Sequence, residues 1–253
     1  MRVLLALIVL VAVIPLAAEQ KKATQKPLYG WMIVLDPGHG GSDPGASGMF
    51  SGQRVVEDEY VYDVALRVQR IIKSMGGVAV LTIQDKKTGE RSLPAQEVFP
   101  DEGEEVYTAR TTVVRAGTWG LNQRLVFGNS WYRKYPKHHR AWISIHFDVV
   151  GRKKEIEGVR IIKGGSKSNQ LAETLWGSFA ERKWLREHAP VVQNGDRQYG
   201  LRSLHILNGG NKFQEKVLIE LGNFNNTADV WRVRNPVTRE AYAAAIANAL
   251  ARR

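Results

Sequence analysis

Residues 31–46 read WMIVLDPGHGGSDPGA. Trp31 to Leu35 is an unbroken apolar run, too short for a buried helix and of the length of a strand covered on both faces. It breaks into Asp36-Pro37-Gly38-His39-Gly40-Gly41. Proline and glycine turn a chain sharply and let its backbone approach a neighbour closely. The histidine is therefore held where the chain is most crowded. A glycine-rich turn can also cradle a phosphate on its N–H groups, but this one lacks both the G-x-G-x-x-G spacing and the lysine of a P-loop.

The flanking sequence builds a fold around that strand. In 60–77, Val61, Val64, Ala65, Val68, Ile71 and Ile72 recur at helical spacing, and Gly76-Gly77 suit a helix C-terminus. VAVLT (78–82) reads as the next strand, so strand, helix and strand form a βαβ unit of a parallel sheet. Further on, 120–135 reads as a helix, AWISIHF (141–147) as a buried strand and GVRIIKG (158–164) as another strand. Residues 168–185 form an amphipathic helix with Ser168 as its N-cap, and KVLIEL (216–221) is a third buried strand. The alanine-rich 238–253 is a terminal helix that Thr238 would cap. The expectation is one α/β domain, a twisted and mostly parallel central sheet flanked by helices, of the phosphorylase/hydrolase-like kind. No internal repeat interrupts it.

One segment does not fit the pattern. Residues 84–118 carry mixed charge, two prolines and weak periodicity, and read as an insertion or long loop, hence a lid, a plug or a docking arm. Its acidic group Glu102, Glu104 and Glu105 reads as a solvated face.

The ends and the composition bound the class. Met1-Arg2 precedes sixteen uncharged residues, VLLALIVLVAVIPLAA, then Glu19-Gln20-Lys21-Lys22. As a helix this run would span roughly 24 Å, short of a hydrocarbon core of about 30 Å. A positive start, an apolar middle and a small-residue end are those of a secretory signal peptide at 1–18. A polar linker at 19–29 and a folded domain at 30–253 would follow. Localisation in the periplasm or cell envelope is expected, with full secretion second, and no stable membrane insertion after cleavage. The chain has no cysteine, which excludes disulfides, thiolate metal sites and a cysteine nucleophile. Of its formal charge of +11, removal of 1–18 takes only Arg2, leaving 35 basic and 25 acidic residues, net +10. Such a balance suits an anionic partner. No basic run interleaved with aromatics appears, so nucleic acid is not expected.

Three ionisable side chains stand where apolar ones are expected: His39 after the first strand, His146 in AWISIHF and Glu220 in KVLIEL. Burying a carboxylate in a strand costs several kcal/mol unless it is paired or bound. In open α/β sheets, sites form beyond the carboxyl ends of strands. Taken singly, each residue has an ordinary structural reading. The helix supplies a fourth: Glu57 stands four, seven and eleven residues before Val61, Val64 and Val68, on the inward face. Glu59 aligns instead with Asp63 and Arg70, on the wet side. A charge at a helix N-terminus is favourable anywhere on the first turn, but that does not explain an inward one. His39, Glu57 and His146 together make a His2Glu set, which with an open fourth position is a catalytic zinc arrangement.

With these residues in view, IVLDPGHGGSDPGA, Glu57 opening a helix, SIHFD, and VLIELGNFNNTADV resemble the zinc-dependent N-acetylmuramoyl-L-alanine amidases of the amidase-3 type. The resemblance runs in order from about residue 31 to the C-terminus. GLNQRLVFGN resembles that family's R-x-x-x-A-N helix through Arg124 and Asn129, with Gly128 where alanine is usual. Carried over by motif, His39, Glu57 and His146 match the ligands of one Zn2+ ion, and Glu220 matches the glutamate that works on the zinc-activated water. The implied activity is hydrolysis of the amide between the lactyl group of N-acetylmuramic acid and L-alanine of the stem peptide, in peptidoglycan or a muropeptide, by a monomer. It leaves a regulatory protein partner open. Asp36 is expected to orient a ligand imidazole. The departures are Thr82-Ile83 for Thr-Arg, Phe147 beside the ligand histidine, and Asn223-Phe224 where an aromatic is usual one place earlier. Two other readings stay open: another zinc peptidase of the wall, a carboxypeptidase, and a non-catalytic wall-binding or regulatory protein. A carboxypeptidase calls for an arginine to hold a terminal carboxylate, and the sequence alone places none.

Overall fold

The computed structural model describes residues 26–85, 99, 103, 105–184 and 190–253. The expected signal peptide lies outside them. In chain order the elements are β1 (Trp31–Pro37), β2 (Ser47–Phe50), β3 (Gln53–Val56), α1 (Glu57–Ser74), β4 (Val78–Leu81), β5 (Ile83–Gln84), β6 (Val106–Tyr107), α2 (Thr118–Lys134), β7 (His139–Asp148), β8 (Arg160–Lys163), α3 (Asn169–Ala180), β9 (Val191–Gln193), α4 (His205–Asn208), β10 (Glu215–Asn223), α5 (Thr227–Arg234) and α6 (Pro236–Ala251). Six strands form one sheet in the order β4-β1-β7-β10-β8-β9. The first four are mutually parallel; β8 runs antiparallel to β10, and β9 parallels β8. The sheet is thus mostly parallel, as the sequence implies.

Strand alternation divides the core. Trp31, Ile33 and Leu35 of β1 face one side with Ile143, Ile145, Val217 and Ile219, under α1, α3 and α6. Met32 and Val34 face the other with Trp142 and Leu218, under α2 and α4. Burying each such branched side chain contributes about 1.5–3 kcal/mol, which is why neither face is polar. The same alternation puts Asp36, His146 and Glu220 on the α2/α4 side, where β1, β7 and β10 run out. In register, Asp36 pairs Ser144 and Glu220 pairs His146.

Several expectations change. Leu28, within the stretch read as linker, is fully buried and donates its N–H to Met75 O at 2.9 Å. Ser168 occupies the N-cap position of α3 as expected, but its side chain makes no capping bond: the hydroxyl accepts from Lys216 N at 3.0 Å and so ties β10. Thr238 does not cap the last helix either; Asn235 does, its Oδ1 accepting from Val237 N at 2.9 Å, with Pro236 in the first turn. Glu59 and Asp63 are buried rather than wet. Helix α6 packs along that flank and brings Arg239 Nε to 2.5 Å from Asp63 Oδ2; Arg70, further along α1, is exposed as expected.

The described part of 84–118 is folded structure. β5 pairs antiparallel with β6, and Thr108 N donates to Thr82 O at 3.1 Å. Ile83, Tyr62, Tyr107 and Val114 form a small third core. Glu105 is buried, not part of a solvated face, because this returning arm carries it inward; Glu102 and Glu104 lie outside the described residues. Ile83 is apolar because Tyr107 and Val114 cover it.

Candidate metal centre

The turn after β1 is held from beneath. Asp36 Oδ1 accepts from Thr82 Oγ1 at 2.6 Å and Arg124 Nη1 at 2.9 Å, and its Oδ2 from Ser144 Oγ at 2.6 Å. Arg124 also donates to Pro37 O at 2.6 Å and to His39 O. Asp36 therefore does not orient an imidazole, contrary to expectation. It fixes a buried guanidinium that grips the backbone carrying His39. Above the grip the chain closes on itself through Gly40 N to Asp43 O, 2.7 Å. His39 stands at φ 66°, in the left-handed region where a non-glycine residue costs energy and persists only when its surroundings hold it there.

The structure brings His39, Glu57 and His146 together. His39 Nε2 lies 3.3 Å from Glu57 Oε2, and His146 Nδ1 lies 2.9 Å from Glu57 Oε1. One donor atom from each of the three lies within 4.8 Å of the others. Glu57 is locked by Ala46 N at 2.8 Å and Phe147 N at 2.9 Å. On the far side of its ring, His39 Nδ1 meets Asp43 Oδ1 at 3.0 Å. Two glycines make the space: a Cβ on Gly38 would stand 2.2 Å from the His146 ring, and one on Gly45 would stand 2.6 Å from both Glu57 Oε2 and His39.

The electrostatics favour a cation at the centre. Burial pulls the His39 imidazole down, but Glu57 and then Asp43 outweigh it and hold it above its ordinary value. Burial likewise raises Glu57, and the two histidines together with the Ala46 N–H reverse the sign, leaving it lowered. The donor chemistry, two imidazoles and one carboxylate with a second carboxylate behind an imidazole, fits zinc. Tetrahedral bonds of about 2.0–2.1 Å separate neighbouring ligand atoms by roughly 3.3 Å, the scale of the His39–Glu57 spacing.

Glu220 lines the same cleft of about 720 Å³ as His39, Glu57 and His146. Leu121, Leu204, Ile206, Phe147 and Val149 form its apolar wall. Thus all four expected residues share one cavity at the carboxyl ends of β1, β7 and β10. Sequence reasoning missed Asp43, whose signal is the repeat of Asp-Pro-Gly at 36–38 and 43–45. It also missed the job of Arg124.

The departures from the family pattern compensate one another. Phe147 packs on Phe224, ring centroids 4.4 Å apart. Asn223, in the usual aromatic place, is fully buried and donates to Lys153 O at 2.9 Å and Ile156 O at 2.8 Å, stapling the loop after β7. A Cβ on Gly128 would stand 2.2 Å from the Trp142 ring, so alanine there would force the buried indole or the helix to shift.

Comparison with known proteins agrees with this geometry. The model of the N-acetylmuramoyl-L-alanine amidase family Amidase_3 matches residues 33–252. The chain is 26% identical over 227 residues to the "Probable cell wall amidase LytH" of Staphylococcus epidermidis, covering 90% of this chain and 60% of that protein. It therefore spans about 60% of the length of the relatives it matches. Among solved structures, the N-acetylmuramoyl-L-alanine amidase AmiC2 of Nostoc punctiforme superposes with TM-score 0.60 at 19% identity, covering 88% of this chain and 96% of that one. The catalytic domain of CwlV from Bacillus (Paenibacillus) polymyxa var. colistinus gives TM-score 0.59 at 21% identity, covering 86% and 95%. These two share the fold; the family match, over most of the chain, places the protein in the N-acetylmuramoyl-L-alanine amidase family.

Proposed function

We propose that this chain is a zinc-dependent N-acetylmuramoyl-L-alanine amidase that separates stem peptides from the glycan of peptidoglycan. The observation that carries the reading is the convergence of His39, Glu57 and His146 beside Glu220 in one cleft. His39, Glu57 and His146 would hold one zinc ion, which when bound polarises the amide carbonyl and makes water a better nucleophile. Glu220 takes the proton of the attacking water and delivers it to the nitrogen of L-alanine as the C–N bond breaks. The lactyl carboxylate and the free amine of the stem are the products. Asp43 keeps the His39 ring in its working orientation. Work on the wall requires export, and 1–18 is the segment we assign to it, delivering the domain to the periplasm or cell envelope. Among the described residues no helix is long and apolar enough to cross a membrane.

The test is mass spectrometry of soluble products from purified wall and from a defined muropeptide, with and without a zinc chelator. The expected products are free stem peptide with an intact L-alanine amine and peptide-free glycan, both abolished by the chelator. Release of a single terminal amino acid would replace the amidase with a carboxypeptidase, and no product from either substrate would favour the wall-binding reading.

A further inference from the structure

The cleft also carries two arginines that the chemistry above does not use. Arg115 and Arg202 line it together with the metal-ligand candidates. Both side chains are exposed to the cavity, and among the described residues neither is paired with a carboxylate. Of the acids that line the cleft, Asp36 is engaged by Arg124, Asp43 by His39, and Glu57 by His39 and His146, while Asp148 and Glu220 line it as well. Arg124, the third guanidinium of the cleft, is buried in that same grip.

What sets Arg115 and Arg202 apart from ordinary surface arginines is that buried side chains hold the backbone of Arg115 itself and, two residues beyond Arg202, the loop that carries it. Tyr107, itself buried, brackets Arg115: its hydroxyl accepts from Arg115 N at 3.0 Å and donates to Arg115 O at 3.1 Å. Asn194, also buried, brackets the loop of Arg202: its Oδ1 accepts from Leu204 N at 2.8 Å and its Nδ2 donates to Leu204 O at 3.5 Å. Each arginine lies three residues ahead of a helix, Arg115 before α2 and Arg202 before α4. Those helices are joined by His205 Nε2 and Asn122 Oδ1 at 2.7 Å. The cleft thus presents two cations, each just ahead of one of two joined helices, in the cavity that the ends of β7 and β10 also line. Guanidinium binds carboxylate through paired N–H donors, and a pre-organised pair sacrifices little freedom on binding. Low-dielectric cleft walls concentrate that field on an anionic ligand.

We infer that Arg115 and Arg202 form a carboxylate clamp for the peptide half of the substrate, so that the enzyme selects stem peptides with free carboxylates over amidated ones. The inference rests on the peptidoglycan reading. The bound group is either an internal carboxylate of the stem or its C-terminal one, and the chemistry of recognition is the same.

The experiment uses one muropeptide in three forms: all carboxylates free, the internal one amidated, and the C-terminal one amidated. Hydrolysis is followed by product release, and affinity for the three corresponding free stem peptides by titration calorimetry. The wild-type chain should prefer the free acid about tenfold for each carboxylate–guanidinium pair that amidation breaks, the scale of a charged hydrogen bond. Arg202→Gln and Arg115→Gln should each erase part of the preference with zinc content and melting temperature unchanged, and the lysine variants should regain some of it. The amidated form that suffers identifies which carboxylate is held. Equal rates and affinities across all three forms, or glutamine variants that keep the preference, would overturn the clamp while leaving the amidase intact. Absence of hydrolysis at the lactyl amide would remove the amidase reading, and the calorimetry would still decide the clamp.

Discussion

The first turn of α1 feeds two acidic clusters from consecutive residues. Glu57 joins His39 and His146 at the floor of an open cleft. Asp58 and Glu59 meet Glu105, and all three are buried. The first cluster mixes imidazole with carboxylate, is backed by Asp43 and opens on a cavity. The second is carboxylate only and is closed over by the arm that carries Glu105, whose Oε2 accepts Gly41 N at 2.8 Å. The first cluster lies where a substrate can reach it. In the second, Glu105 fastens the arm to the turn that bears His39.

If the two clusters differ in this way, removing a ligand candidate or the proton carrier should have the largest effect. Glu57→Ala and His146→Ala should lose both zinc, by elemental analysis, and activity. Glu220→Ala should keep zinc and lose activity by about 10²–10⁴-fold; full activity there would end the assignment. Next comes Gly45→Ala, whose Cβ would collide with Glu57 and His39 at a position of φ 71°. Its expected signature is a well-folded chain with zinc affinity down by at least the roughly 10–100-fold typical of a disturbed ligand shell. Asp43→Ala should weaken zinc by about 10–100-fold through the freed His39 ring. Glu105→Ala acts on the other cluster. It should lower stability by about 1–3 kcal/mol in urea unfolding, because the Gly41 N–H is left without its acceptor, while zinc stoichiometry holds. A zinc loss as large as that of Asp43→Ala would merge the two clusters into one functional unit. The smallest effect is on the basic surface: added salt should slow hydrolysis of whole wall more than of a small fragment, and equal responses would remove charge steering.

The site is legible where a single element decides it. His39 stands out because it and its glycines interrupt a strand, His146 and Glu220 because they stand in apolar strands, and Glu57 by helical phase. What stays hidden depends on a second element arriving. Glu59 and Asp63 fall on the polar side of the helical pattern, yet α6 and the returning arm cover that side. Glu105 sits in a charged stretch without periodicity. The contact with an imidazole expected of Asp36 is made by Asp43, because nothing in the turn's sequence says which of two Asp-Pro-Gly repeats faces the ring. The strands of the parallel sheet are plain for the opposite reason: burial on both faces leaves continuous apolar runs. Ser168 and Thr238 mislead as caps because a hydroxyl near a helix start has other partners to choose, such as Lys216 N for Ser168.

The contact between Gly128 and Trp142 couples a helix to a strand. With tryptophan on β7, even a methyl group on α2 at residue 128 would sit 2.2 Å from its ring. An alanine there would force the buried indole or the helix to shift, at the cost of about 1–3 kcal/mol that overpacking a core brings. A smaller residue at 142 would relieve that cost, so the two positions should tolerate change together better than singly.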